Sequence, residues 1–286
     1  MNNDPALTTE PSRTGHQSHD VLRAGQRGTT QSESDQIAIE VPIALEYNGL
    51  SHAVMLATPC DLEDLAYGFS FTEGIIRKAG DIYDIDIVEQ GEGIVLHIQI
   101  ASACIQQLKL RRRQIAGRTG CGLCGIDSLS EVRRSLDPVV RTAEPLPYDA
   151  MLAAARNLFN RQSLHQVTGA THAAGWADSA GEIITVREDV GRHNALDKLI
   201  GTMLRTGIDP NTGLAMISSR ASFEMVQKAA AAGISIIAAV SAPTSYAIRV
   251  ADELNVLLAG FVRDTRFTLY THAQHLSQYK EAHEEH

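Results

Sequence analysis

Cys121 and Cys124 stand three residues apart in the run Gly120-Cys121-Gly122-Leu123-Cys124-Gly125, behind Arg111, Arg112, Arg113 and Arg118. Glycine lets the backbone bend tightly and leaves sulfur uncovered. Nearby cations favour thiolate over thiol, and thiolate is the form that attacks or binds metal. Three chemistries use such a pair. Structural zinc needs about four ligands, usually two pairs, but the other cysteines, Cys60 and Cys104, are isolated and read as small apolar helix residues. A dithiol–disulfide centre uses the second thiol to resolve a mixed disulfide. Thioredoxin-type pairs, however, open a helix after a buried strand, and this pair lies in a glycine-rich loop. A sulfur relay holds a sulfane sulfur on one exposed thiolate as a persulfide. The local pattern leaves the redox and relay readings both open.

Polar residues at strand-to-helix junctions form the second group of candidates. Ser218-Ser219-Arg220-Ala221-Ser222 and Ser241-Ala242-Pro243-Thr244 can cap helices or offer free N–H groups to a phosphate. In Glu188-Asp189-Val190-Gly191-Arg192-His193-Asn194, Asp189 or His193 can serve as acid, base or orienting group, and the acids can equally complement a helix dipole. His172 is a further pocket candidate, whereas His272, His275, His283 and His286 are scattered. Gly260-Phe261-Val262-Arg263-Asp264-Thr265-Arg266 closes a strand, and its two arginines can clamp a phosphate or stack on a purine.

The elements that must carry these residues follow from periodicity. Residues 1–36 are polar and nearly devoid of aliphatic side chains, so a disordered tail is expected there. Alternation over Ile37–Ile43 and His52–Ala57 around Asn48-Gly49 predicts a hairpin. Thr58, Pro59 and Asp61 predict a helix start, and Gly74 its end. A second hairpin (Ile82–Val88 and Ile94–Ile100) and a basic helix from about Ser102 to Gln114 complete an α+β unit over 37–144. From 145 to 286, strands and helices alternate, which predicts a mostly parallel sheet covered by helices. The 286 residues, 44% hydrophobic, can bury a full core. A formal charge of -9 and pI near 5.6 argue against nucleic-acid or anionic-membrane binding. No stretch approaches the roughly 18–20 apolar residues of a membrane span, no secretory signal is expected, and the sparse cysteines suit a reduced, cytoplasmic setting.

Several segments together resemble the FdhD family, the sulfurtransferases needed to mature formate dehydrogenase. They are Glu40-Val41-Pro42-Ile43-Ala44-Leu45, the run from Gly117 to Gly125, Thr171-His172-Ala173-Ala174, Glu188 to Lys198, Ser218 to Val226, and Tyr270-Thr271-His272. The resemblance implies an α/β fold: a cytidine-deaminase-like three-layer α/β domain beside a smaller N-terminal α+β domain. It implies a cytoplasmic enzyme that takes sulfur from a cysteine desulfurase as a persulfide on Cys121, with Cys124 in support. The sulfur passes to Mo-bis(molybdopterin guanine dinucleotide), a bound substrate destined for formate dehydrogenase. The family's cofactor-binding stretch falls on Phe261, Val262, Arg263, Asp264, Thr265 and Arg266, with departures at Val262 and Asp264. No metal of its own is expected, and a homodimer suits the two-armed cofactor. Zinc deaminase chemistry is not expected, because it needs His-x-Glu and a Pro-Cys-x-x-Cys, and Thr171-His172-Ala173-Ala174 has no such glutamate.

Maturation of formate dehydrogenase by Cys121→Ala and Cys124→Ala variants separates the possibilities. Persulfide relay predicts loss with the first and residual activity with the second. A thiol–disulfide oxidoreductase loses activity with either, and a non-catalytic cofactor-binding chaperone with neither.

Overall fold

In the computed structural model, residues 14–25, 28–118 and 134–277 are described. Strands β1 (His16–Ala24) and β2 (Thr30–Ala38) pair as an antiparallel hairpin. Strands β3 (Val41–Tyr47) and β4 (Leu50–Ala57) form the next one. Asn48 and Gly49 both take positive φ there, as the tight turn demands. Helix α1 (Leu62–Thr72) follows, then strands β5 (Ile82–Gln90) and β6 (Gly93–Ile100), then helix α2 (Ser102–Arg118). The sheet order is β4-β3-β6-β5. Period-2 alternation sends Ile43, Leu45, Tyr47, Leu96 and Ile98 to one face, where they pack with Leu65 and Ala66 of α1 and with Leu108 of α2.

Residues expected to form a disordered tail therefore include a hairpin. Its strands bury little, and ladder hydrogen bonds plus pairing of Arg23 with Glu33 and Asp35 hold them together. A criterion based on apolar burial cannot see that kind of order. The start of α1 also differs from expectation. Asp61, left-handed at φ 51°, precedes the helix and makes no side-chain cap. Thr58 serves another joint instead: its N–H donates to Asp189, its hydroxyl accepts the Val190 N–H and its carbonyl accepts Lys198 Nζ.

The second half begins with the short strand β7 (Leu146–Pro147), helix α3 (Tyr148–Asn160) and helix α4 (Ser163–Thr168). Strands β8 (His172–Ala177) and β9 (Ile183–Asp189) lead to helix α5 (Arg192–Thr206). Then come β10 (Leu214–Ile217), α6 (Phe223–Ala231), β11 (Ile236–Ala239), α7 (Ser245–Glu253), β12 (Leu257–Gly260), β13 (Thr268–Thr271) and β14 (Leu276–Ser277), which pairs with β7. The main sheet runs β13-β12-β11-β10-β8-β9. Alternate residues of each central strand enter opposite cores. Ala215, Ile217, Ile237 and Leu258 pack with α5, α6 and α7. Leu214, Met216, Ile236 and Leu257 pack with α3. These are the three layers that the family resemblance implies.

The sheet is mixed, not mostly parallel. β10, β11 and β12 are parallel, whereas β8–β9, β8–β10 and β12–β13 are antiparallel. The missed element is β8, whose His-Ala-Ala-Gly-Trp-Ala sequence lacks β-branched residues and so carries no strand signal. Among the described residues no helix is long and apolar enough to cross a membrane.

Helices α1 and α5 bring the two sheets together at backbone contact. A Cβ on Gly68 would overlap the Asp197 carbonyl, and one on Gly201 would overlap the Asp64 carbonyl. Buried charges flank this crossing. Asp64 accepts from Thr202 at 2.6 Å, Arg205 at 2.6 Å and Arg187 at 2.7 Å. Burial alone would raise the Asp64 pKa, but these donors outweigh it and hold the carboxyl below the ordinary value. Asp197 accepts Thr72 Oγ1 at 2.7 Å and Lys228 Nζ at 2.9 Å. Burial pushes the Lys228 ammonium down, yet Asp197 and Glu73 win and hold it above its usual value.

The Gly68→Ala variant is expected to lose about 3 kcal/mol or more of stability in urea unfolding, since a new methyl inside a helix crossing forces the backbones apart. An unchanged midpoint would mean that the crossing is not tight.

Candidate functional site

The carboxyl ends of β10, β11 and β12 lie along one sheet edge, where open α/β sheets collect ligands. Ser218, Val240 and Val262 follow those three strand ends and border a cavity of about 880 Å³. Its opposite wall is the junction of α3 and α4, with Arg156, Phe159, Gln162 and His165. The junction stays in place because Glu188, at the end of β9, reaches across to it. Its carboxylate accepts the N–H groups of Leu164 and His165, both at 2.8 Å, and the Thr171 hydroxyl at 3.1 Å. A strand carboxylate thus caps a helix that has no capping side chain of its own.

Strand β12 leaves the sheet through Phe261, exposed and left-handed at φ 52°. Hydrogen bonds from Phe261 N to Ser241 O and from Val262 N to Ala239 O, both 3.1 Å, tie this exit to the end of β11 and the loop after it. The Arg263 N–H donates to Arg266 O at 2.8 Å and closes a turn. Arg263's guanidinium holds the carbonyls of Val240 and Val262, and Arg156 donates to Asp264 O at 3.0 Å. Val262, Arg263 and Asp264 border the large cavity, whereas Phe261, Arg263 and Arg266 border a smaller one of about 330 Å³. Thr265 is exposed in the turn and borders neither. Five of the six residues expected from 261–266 therefore line concave surface, and Arg263 is common to both hollows.

Arginines 156 and 263 give the rim two cations, which suits an anionic ligand. His172, at the start of β8, also borders the large cavity. Burial, then the charges of Arg192 and His165, depress its pKa, so the imidazole is neutral at pH 7. His165 Nδ1 lies 2.8 Å from the Thr171 carbonyl and donates to it. His193 sits 2.9 Å from Glu224, and burial outweighs that carboxylate to hold the imidazole below its ordinary value.

Several residues singled out by the sequence do other work. Asp189 is fully buried, pairs with Lys198 at 2.6 Å, and accepts N–H groups of Thr58, Gly191 and Asn194. It is a joint between β9, α5 and the chain before α1. Ser218 Oγ accepts Ala173 N at 2.8 Å, tying β10 to β8. Thr244 caps α7, but Ser222 makes no cap to α6. Arg220 is exposed and away from the large cavity's lining. Cys121 and Cys124 lie outside the described residues. Among those described, no group of three or more His, Cys, Asp or Glu could hold a metal. Sequence reading missed Arg156, Phe159, Gln162 and His165. Phe159 at the end of an amphipathic helix was the available signal, since it falls off the apolar face and is exposed.

Comparison with known proteins matches residues 38–277 to the FdhD/NarQ family model. A Bordetella petrii protein named sulfur carrier protein FdhD is 56% identical over 267 residues, 93% of this chain and 96% of the relative. One of the same name from Cupriavidus necator is 50% identical over 272 residues, 95% and 94% of the two chains. A crystal structure of a Desulfotalea psychrophila protein, described as a formate dehydrogenase accessory protein, superposes with a TM-score of 0.72. That match has 23% identity and covers 92% of this chain and all of the other, so it speaks for the fold.

The depressed histidines set a pH dependence. His172, His193 and His275 bind protons less readily folded than unfolded, each first because of burial. The unfolded chain therefore takes up more protons below the ordinary histidine pKa of 6.5. Stability is fully present above that pH and falls as pH drops below it. The urea midpoint is expected to decrease between pH 7.5 and 5.5, and a His172→Gln variant to decrease less. Equal slopes for both proteins would remove His172 from this account.

Proposed function

The chain belongs to the FdhD/NarQ family, and from that premise we propose a cytoplasmic sulfurtransferase that relays sulfur through Cys121 to a guanine dinucleotide form of the molybdenum cofactor. The Cys121 thiolate attacks the sulfane sulfur of a cysteine desulfurase persulfide, forming a new S–S bond and releasing the donor thiolate. The terminal sulfur then passes to molybdenum, which supplies the two electrons that make it sulfide, and Cys121 returns as thiolate. The sulfurated cofactor goes on to formate dehydrogenase. A homodimer would offer one cavity to each nucleotide arm.

The observation that carries this reading is the cavity at the carboxyl ends of β10, β11 and β12, in a chain whose relatives are named sulfur carrier proteins. Arg263 and Arg156 at its rim suit the pyrophosphate of a guanine dinucleotide, and buried apolar residues such as Leu158 and Val262 suit its rings. Both ends of the segment bearing the cysteines attach to the framework. On one side α2 packs under the N-terminal sheet through Cys104, Ile105 and Leu108. On the other, Arg134 donates its N–H to Gln227 at 2.8 Å and its guanidinium to the Thr72 carbonyl.

Intact-protein mass spectrometry after incubation with a cysteine desulfurase and cysteine tests the relay. One added sulfur atom is expected on the wild type and none on Cys121→Ala. No added sulfur on the wild type, under conditions that load a control acceptor, would overturn the relay.

A further inference from the structure

Two polar residues of the large cavity's lining are more than nine-tenths buried: Thr171, 4% exposed, and Gln162, 6% exposed. The Thr171 hydroxyl is committed to Glu188. Gln162 is not committed. Its residue occupies the N-cap position of α4, where a side chain usually accepts the first free N–H groups. Here Glu188 has taken those groups, and the Gln162 amide makes no capping bond. It makes no side-chain hydrogen bond to any described residue, yet neither amide atom is sealed away from solvent-accessible space. A buried amide with an open acceptor and open donors, in a cavity that Leu158, Val240 and Val262 also line, lacks a partner that a ligand can supply.

Depth decides which part of a ligand that is. The cations, Arg156 and Arg263, are exposed at the rim, so anionic groups stay outside. A neutral amide among apolar side chains suits a neutral, flat group with adjacent donor and acceptor atoms on one edge. Exposed Phe159, three residues earlier, offers such a ring a face to lie against.

On these grounds we infer that Gln162 is the base-reading residue of the cavity, its amide pairing with the donor–acceptor edge of a purine whose phosphates lie at Arg156 and Arg263. This inference deepens the proposed function and rests on its nucleotide site. Guanine offers O6 and N1–H side by side, a match for the amide Nε2 donor and Oε1 acceptor. Unsubstituted purine has the same ring shape and stacking surface but carries neither O6 nor N1–H and no exocyclic donor.

Calorimetric titration of the full chain with guanosine diphosphate and with purine riboside diphosphate tests it, for wild type, Gln162→Leu and Arg263→Ala. The wild type is expected to prefer the guanine ligand about tenfold, the typical reach of one buried hydrogen-bonded pair. Gln162→Leu should bind both ligands equally, and Arg263→Ala should weaken both while keeping the preference. Circular dichroism melting reports whether Gln162→Leu folds, and Gln162→Met, which also lacks the amide, takes its place in the same comparison if it does not. A preference undiminished in the leucine or methionine variant overturns the inference, as does a wild type that binds both ligands alike. Failure of the wild type to bind either ligand overturns the nucleotide site itself, a separate result.

Discussion

The contact of α1 with α5 is the constraint on which the remainder depends. Gly68 and Gly201 let two backbones touch, and so bring Asp64 and Asp197 within reach of donors from the other half of the chain. Isolated, each carboxylate would be costly to bury; paired, each fixes the geometry around it. The same logic repeats one step along, where Asp189 and Lys198, both fully buried, tie β9 and α5 to Thr58. Removing one partner of such a pair would strand a charge, so these joints enforce one arrangement of the two sheets more than they add net stability.

From that frame the site follows by short connections. Because β9 is held at Asp189, the preceding residue, Glu188, sits where it can cap α4. With α4 capped, the α3–α4 junction stands opposite the ends of β10, β11 and β12, and a hollow remains between them. The exit of β12 through left-handed Phe261 turns Arg263 toward that hollow and toward the smaller one beside it. The cysteine-bearing segment leaves from α2 and returns at Arg134, beside the carboxyl end of α1.

Much of this was legible in the chain itself. The hairpins of the first sheet were legible from Val41 and Ile43 alternating with other residues before the turn at Asn48-Gly49, although Ile37, expected in the same strand, belongs to β2. The six-residue stretch Phe261 to Arg266 was legible as a strand end with two arginines. What escaped has a common cause. Strand β8 is built of alanine and glycine, α4 is too short for periodicity, and the hairpin over 16–38 is held by ladders and surface charge pairs. The polar run from Glu188 to Asn194 resembled catalytic chemistry, yet Asp189 and Asn194 spend their polar atoms on partners distant in sequence. Only tertiary contacts distinguish a buried joint from an active site when the residue types are the same.

The proposed function stands or falls with a nucleotide held between the α3–α4 junction and the end of β12. Hydrogen–deuterium exchange of the full chain, with and without guanosine diphosphate, tests it most directly. Slowed exchange is expected only over about residues 156–172 and 261–266, with α1 and α5 already protected in both states. Protection appearing instead on the sheet of β3 to β6, with 156–172 unchanged, would contradict it.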